Sequence, residues 1–238
     1  MSLALVTGGA GGIGAAVVKR LAEAGHEVVF THVGQTKEAA ELVADLQHVG
    51  ATLRAVESDA NCERATKDLF ASISPTILVH CAGVKEDGPI WRQEVEAFDK
   101  VVGVNLRGAW LQARAAAPIM RAAGWGRIVL IGSINGTRGK FGQTTYAASK
   151  AGLKGLAASL ARELGPKGTT VNVIEPGWIE TPMTADIPEQ FRNAAIAETV
   201  NGRLGHPEDI AHTVAYLVSE GAGHVTGNVL RVDGGQGI

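Results

Sequence analysis

The chain is poor in cysteine, in aromatic residues and in net charge, and each shortage removes a class of function. Its 238 residues contain two cysteines, Cys62 and Cys81. They are too few for a disulfide framework and too isolated for a zinc site, so no metal is expected and a reducing cytoplasm suits the chain. A formal net charge of −2 gives no electrostatic case for nucleic acid. No apolar run reaches the ~20 residues of a membrane span, and the amino terminus enters a strand without a basic region or cleavage site. Aromatics make up 5%, while the 31 glycines are scattered among periodic segments and point to tight strand-helix junctions. With 45% hydrophobic residues the chain can bury a large core, and one α/β domain over residues 1–238 is expected.

What the chain does contain is a regular alternation of short apolar runs and helical spacings. Leu3–Val6 reads as a strand that stops at Thr7, Gly8, Gly9, Ala10, Gly11, Gly12, Ile13 and Gly14, and a helix follows to Gly25. In a strand-loop-helix unit such glycines let the backbone approach a pyrophosphate and expose amides at a helix N-terminus, so a dinucleotide site is expected at Gly8, Gly12, Ile13 and Gly14. A second strand runs from Glu27 to His32 and a third lies around Thr52 to Val56. Further strands are expected at Thr76–His80, Arg127–Gly132, Thr170–Ile174 and Val229–Val232, about seven in all. The alternation predicts a doubly wound parallel sheet of Rossmann type, with helices on both faces.

The second strand ends in Thr31, His32 and Val33 with no carboxylate to hold the ribose 2′-hydroxyl of NAD. That absence predicts a preference for NADP(H), with His32 and Lys37 as the groups that would meet the phosphate, and leaves NAD(H) possible. Asp59, followed by Ala60, either reaches adenine or caps a helix beginning near Asn61. Cys81, Ala82 and Gly83 end the fourth strand with small residues that let a cofactor lie against the backbone. Cys81 reads as a packed small hydrophobe, since no base accompanies it. The stretch Phe98–Ala123 is expected to be one helix with Asn105 as its odd polar residue. Pro176, Gly177, Ile179 and Thr181 form a loop after the sixth strand, and residues 183–201 are expected to form a lid over the substrate.

Ser133 follows the strand ending at Ile131-Gly132, which puts its hydroxyl at the carboxyl end of a sheet strand, where open α/β sheets bind ligands. Tyr146 and Lys150 are four apart in a helical run and share one face. A free tyrosine titrates near ~10, and a neighbouring cation lowers that value, so Tyr146 is a candidate general acid and base.

These pieces, in this order and spacing, resemble the short-chain dehydrogenase/reductase family along essentially the whole chain. The matching parts are Thr7-Gly8-x-x-x-Gly12-x-Gly14, Cys81-Ala82-Gly83, Asn105, Ser133, Tyr146-x-x-x-Lys150 and Pro176-Gly177. The runs Gly142–Gly152 and Glu175–Thr181 look most like 3-oxoacyl-(acyl-carrier-protein) reductases, with acetoacetyl-CoA reductases close behind. The resemblance implies that Tyr146 gives the proton, Lys150 lowers its pKa and holds the nicotinamide ribose, Ser133 binds the carbonyl oxygen, and Asn105 orders a water. It also implies a homotetramer, with the faces of residues 98–123 and 144–164 covered, and a basic docking surface for an acyl carrier protein at Arg127 and Lys167. His80 and Cys81 depart from the family's two asparagines, and the glycine loop has no basic residue. Two other readings stay open: an NAD-dependent dehydrogenase of a small alcohol or sugar, and a nucleotide-sensing protein without turnover.

Overall fold

A computed structural model describes every residue except 1, 48, 49, 51, 185 and 186. Seven strands form a parallel sheet: β1 (Leu3–Thr7), β2 (Glu27–His32), β3 (Leu53–Glu57), β4 (Ile77–His80), β5 (Gly126–Ile131), β6 (Thr169–Pro176) and β7 (Val229–Val232). Their order is β3-β2-β1-β4-β5-β6-β7, so the chain winds outward from β1 in one direction, then returns to its other side and winds the opposite way. Parallel strands need crossover helices, and the expected helices are present. They are α1 (Gly12–Glu23), α2 (Thr36–Asp45), α3 (Glu63–Ser72), α4 (Val95–Val102), α5 (Gly108–Ala123), α6 (Asn135–Arg138), α7 (Thr144–Leu164), α8 (Glu189–Ala197) and α9 (Pro207–Val218).

Alternate side chains of each strand feed two cores. Ala4, Val6, Val28, Phe30 and Val79 pack under α1 and α9, whereas Leu5, Val29, Leu78, Ile128 and Leu130 pack under α3, α5 and α7. Burial on both faces explains why the strands read as continuous apolar runs and not as alternating ones. Gly25, at φ +82°, ends α1 in a conformation that favours glycine. Pro207 opens α9, where the Asp209 carboxylate accepts from the His206 amide at 2.8 Å.

The expected single helix over Phe98–Ala123 is interrupted. Residues Gly103–Arg107 form a wider π turn between α4 and α5. Asn105 lies inside that turn, fully buried. Its Nδ2 donates to Val84 O and to Ser149 Oγ, both at 3.0 Å, and its Oδ1 accepts from Val84 N at 2.8 Å. A buried amide has to satisfy both ends, and turning this one toward the loop after β4 is compatible with a bulge in the ladder.

Candidate active site

The order reverses between β1 and β4, and ligands of such sheets bind at the carboxyl ends of the strands there. A cleft of about 780 Å3 opens at this place. Of the residues assigned to the cofactor in the sequence, all but Lys37 line it: Gly8, Gly12, Ile13 and Gly14 of the glycine loop, His32, Asp59 and Ala60, the small residues after β4, the Tyr146–Lys150 pair, and Pro176, Gly177, Ile179 and Thr181. Gly8 has φ +64°, and a Cβ on it would lie 2.8 Å from Ala82 Cα. A Cβ on Gly14 would lie 2.1 Å from Gly8 O. α1 begins already at Gly12 with no side chain capping it, so its first amides face the cleft as donors for an anion. His32 Nδ1 and Ser58 Oγ are buried in the wall without a protein partner, as expected of groups that serve a polar ligand. These features fit a dinucleotide.

The catalytic candidates converge on the same cleft. Ser133 is the second residue beyond β5, and its Oγ accepts from Asn135 N at 3.2 Å, which leaves the hydroxyl hydrogen for substrate. Tyr146 and Lys150 lie on the first two turns of α7, with the Lys150 ammonium 5.7 Å from the centre of the phenol ring. Lys150 donates to Ile131 O at 2.8 Å, the carbonyl that ends β5. A Cβ on Gly83 would come within 3.3 Å of Lys150 Nζ and 3.4 Å of Asn105 Oδ1, so the small residue after β4 keeps the floor of the site open.

A family model described as enoyl-(acyl carrier protein) reductase matches residues 8–236. Across 98% of its length the chain is 39% identical to the 3-oxoacyl-(acyl-carrier-protein) reductase MabA of Mycobacterium tuberculosis, covering 92% of that protein. It is 38% identical to the 3-oxoacyl-(acyl-carrier-protein) reductase FabG of Pseudomonas aeruginosa, again over 98% of this chain and 96% of the relative. An acetoacetyl-CoA reductase of Rhizobium meliloti is 39% identical over 98% of both chains. The chain belongs to the short-chain dehydrogenase/reductase family. It is an NAD(P)-dependent oxidoreductase.

The electrostatics of this short-chain oxidoreductase differ in one respect from the sequence expectation, which has Lys150 lowering the Tyr146 pKa. Desolvation by the cleft walls raises the Tyr146 phenol above its ordinary value, the neighbouring Ser133 hydroxyl pulls it partly back, and the Asp87 carboxylate pushes it up again. Lys150 is only 4% exposed, and burial brings its ammonium down to about 8, against an upward pull from Cys81. The Cys81 thiol is pushed up to about 12 by burial, so it packs as an inert group. His80 takes a place where the family has asparagine. It is fully buried, with Nδ1 2.9 Å from Thr7 Oγ1, and that hydroxyl also accepts from Ala82 N at 3.2 Å. Burial, helped by the Lys150 ammonium, holds the imidazole down to about 3, and the neutral ring joins β1 to β4.

Several sequence expectations change. Arg127 is 4% exposed; its guanidinium sits 4.5 Å over Trp125 and donates to Gly126 O at 2.8 Å, so it presents no charge to a carrier protein. Lys167 is exposed, but it sits in the turn before β6, and like Arg127 at the start of β5 it lies at the amino-end edge of the sheet, away from Ser133 at the carboxyl end. Lys37 also turns outward, 82% exposed beside Glu41, and does not line the cleft. Asp59 does not cap a helix at Asn61: its Oδ1 accepts from Asn61 N at 2.8 Å in a turn, and α3 starts at Glu63 with Cys62 as the cap. Of the expected lid, residues 185 and 186 lie outside the described residues, while Pro182 and Thr184 line the cleft.

The sequence reading passed over Gln143 and Ser149. Gln143 Nε2 donates to both Asp87 oxygens at 3.1 Å, and its Oε1 accepts from Asn135 Nδ2 at 2.9 Å. Ser149 Oγ donates to Tyr146 O at 2.7 Å and accepts from Asn105. The only available signal is their place beside Tyr146 and Lys150, because polar residues in a helical run otherwise read as solvated.

Proposed function

We propose that the chain reduces a 3-oxoacyl thioester, carried on acyl carrier protein or CoA, to the 3-hydroxyacyl thioester. The observation that carries this reading is the convergence of the Ser133 hydroxyl, the Tyr146 phenol and the glycine cradle on one cleft, in a chain alike over its length to ketone reductases of that class. A bound reduced nicotinamide supplies the hydride. Hydride arrival makes the ketone oxygen negative, and Ser133 and Tyr146 are the donors placed to meet that charge. With its pKa raised, Tyr146 stands protonated at neutral pH, as an acid for reduction must. Lys150 keeps a positive charge beneath the ring and would hold the nicotinamide ribose. Both ends of the Asn105 side chain are bonded to protein, which ties the π turn to the loop after β4 and to Ser149 beside Lys150.

The NADP(H) expectation rests on the missing carboxylate at the end of β2. In the fold the wall beyond β2 is made by His32, Val33, Gln35 and Glu38, with no lysine or arginine from that stretch among the described lining residues. One carboxylate and no cation favour a ribose 2′-hydroxyl over a 2′-phosphate, so our reading moves to NAD(H). The test is a panel of 3-oxoacyl thioesters, 2-enoyl thioesters, small ketones and sugars with both cofactors, together with cofactor dissociation constants from tryptophan fluorescence. The 3-oxoacyl thioesters should give the highest kcat/KM, and NADH should bind more tightly than NADPH. Higher kcat/KM on a small ketone or sugar would replace the substrate reading, tighter NADPH would restore the first cofactor expectation, and binding without turnover would leave a nucleotide sensor.

Among the described residues no helix is long and apolar enough to cross a membrane, and with two unpaired cysteines we place the protein in the cytoplasm. We also propose a single domain in which the described part of residues 183–201 covers the substrate, anchored by Glu198, which accepts from Arg138 on α6 at 2.9 Å. Val95, Phe98 and Trp110, on α4 and α5, are 69%, 48% and 47% exposed. Apolar side chains so placed on adjoining helices suit burial between copies, and a homotetramer should appear in light scattering at micromolar concentration. A monodisperse monomer would reject it.

A further inference from the structure

Glu175 is a buried carboxylate for which the chemistry above has no use. It lies near the carboxyl end of β6, immediately before Pro176 and Gly177, and is 1% exposed. Lys154 Nζ approaches its Oε1 at 2.7 Å, and the Thr137 hydroxyl lies 2.9 and 3.0 Å from its two oxygens. Lys154 also donates to Thr137 Oγ1, and Arg231 Nε stands 3.7 Å from Glu175 Oε2. A charge taken out of water needs such partners to persist.

The placement of those partners is informative. Thr137 is on α6, whose first residue is two beyond Ser133, and Lys154 is on α7, one turn past Lys150 and two past Tyr146. The two helices touch so closely that a Cβ on Gly136 would lie 2.8 Å from Ala151 N. Backbone bonds tie the Ser133 turn to β6, from Gly132 N to Ile174 O at 2.7 Å and from Ile134 N to Pro176 O at 3.1 Å. The same turn reaches α7 by side chains, through Asn135 and Gln143 at the start of that helix and through the Glu175 cluster further along it.

We propose that Glu175 is a positioning residue, whose carboxylate fixes the turn carrying Ser133 against the helix carrying Tyr146 and Lys150, so that both donors meet one carbonyl oxygen. The proposal rests on the reductase reading above. Misplacing a reacting group by about 1 Å can cost up to ~10²-fold in rate, which sets the scale of the effect. Glu175→Gln keeps the volume and an acceptor for Thr137 but loses the charge that holds Lys154. Its kcat should fall about tenfold or more, with the NADH dissociation constant within about twofold of the parent's. Thr137→Val, which alters no charge, should lower kcat in the same direction.

A merely structural role predicts instead that kcat per folded molecule, with the folded fraction taken from thermal unfolding, equals the parent's in Glu175→Gln; that result overturns the proposal. Should Glu175→Gln not fold, Thr137→Val and Lys154→Met decide, and parent-like kcat in both overturns it equally. A readout that needs no substrate separates this from the functional reading. Phenolate absorbance, with Tyr146→Phe as the blank, should show Tyr146 titrating at higher pH in Thr137→Val, because the Ser133 hydroxyl that draws it down is loosened. In a parent inactive on every carbonyl compound tried, the functional reading fails, and an unchanged Tyr146 titration in Thr137→Val then overturns the positioning role on its own.

Discussion

Tyr146→Phe should lose about 10²-fold or more in kcat, roughly 2.7 kcal/mol of barrier, while cofactor affinity and thermal stability stay near those of the parent. The ring remains, and with it the packing on α7. What goes is the proton that the developing alkoxide takes directly. Ser133 still donates a hydrogen bond, but its hydroxyl is a far weaker acid and is held by Asn135 N, so it does not substitute. Stopped-flow turnover and fluorescence titration on the same preparation check this. Near-normal kcat at unchanged stability would show that Tyr146 is structural.

Lys150→Met should show a different pattern, with loss of both cofactor affinity and rate but little change in stability. The pKa of Lys150 lies at about 8 in place of 10.5, so burial disfavours its charged form by about 3 kcal/mol. Against that, the substitution leaves Ile131 O without its donor, a cost of about 1–3 kcal/mol. The two nearly cancel, so the ammonium does little for folding and its value lies in the site. The parent's reductive kcat/KM should therefore decline as pH rises through about 8, where Lys150 gives up its proton and the positive charge under the phenol is lost. Lys150→Met should lack that limb. A pH profile unchanged by the substitution would assign the titration to another group.

Much of the fold could be read from the residues because it is local. Apolar runs of strand length between helical spacings fix a parallel α/β sheet, and Gly8, Gly12 and Gly14 after β1 announce the anion cradle. Ser133, Tyr146 and Lys150 were legible for the same reason, since two lie on one helical face and the third at a strand end. Contacts between distant segments were not. Arg127 looks like a surface charge until the fold lays it over Trp125, and Lys37 looks like a phosphate ligand until α2 points it at solvent. Glu175 draws its partners from α6, α7 and β7, and no spacing in sequence signals that meeting. Asn105 reads as an oddity in a helix because the bulge is paired to Val84 and Ser149, both remote in sequence. The balance at Tyr146 was misjudged because sequence spacing reveals a neighbouring cation but neither the burial nor the Asp87 carboxylate that raise the phenol.

The position of β1 also sets an order of assembly. It lies between β2 and β4, and Val6 is paired to Phe30 on one side and Val79 on the other. On the ribosome the first side can close soon after synthesis begins, but the second stays open until residue 80 has left the exit tunnel. Until then the nascent chain displays an apolar strand edge at what becomes the middle of the sheet, the kind of edge that recruits other chains. β4 closes that edge, and the bond between His80 and Thr7 lies across the same seam, so the pairing that ends this exposure also shapes the floor of the cleft.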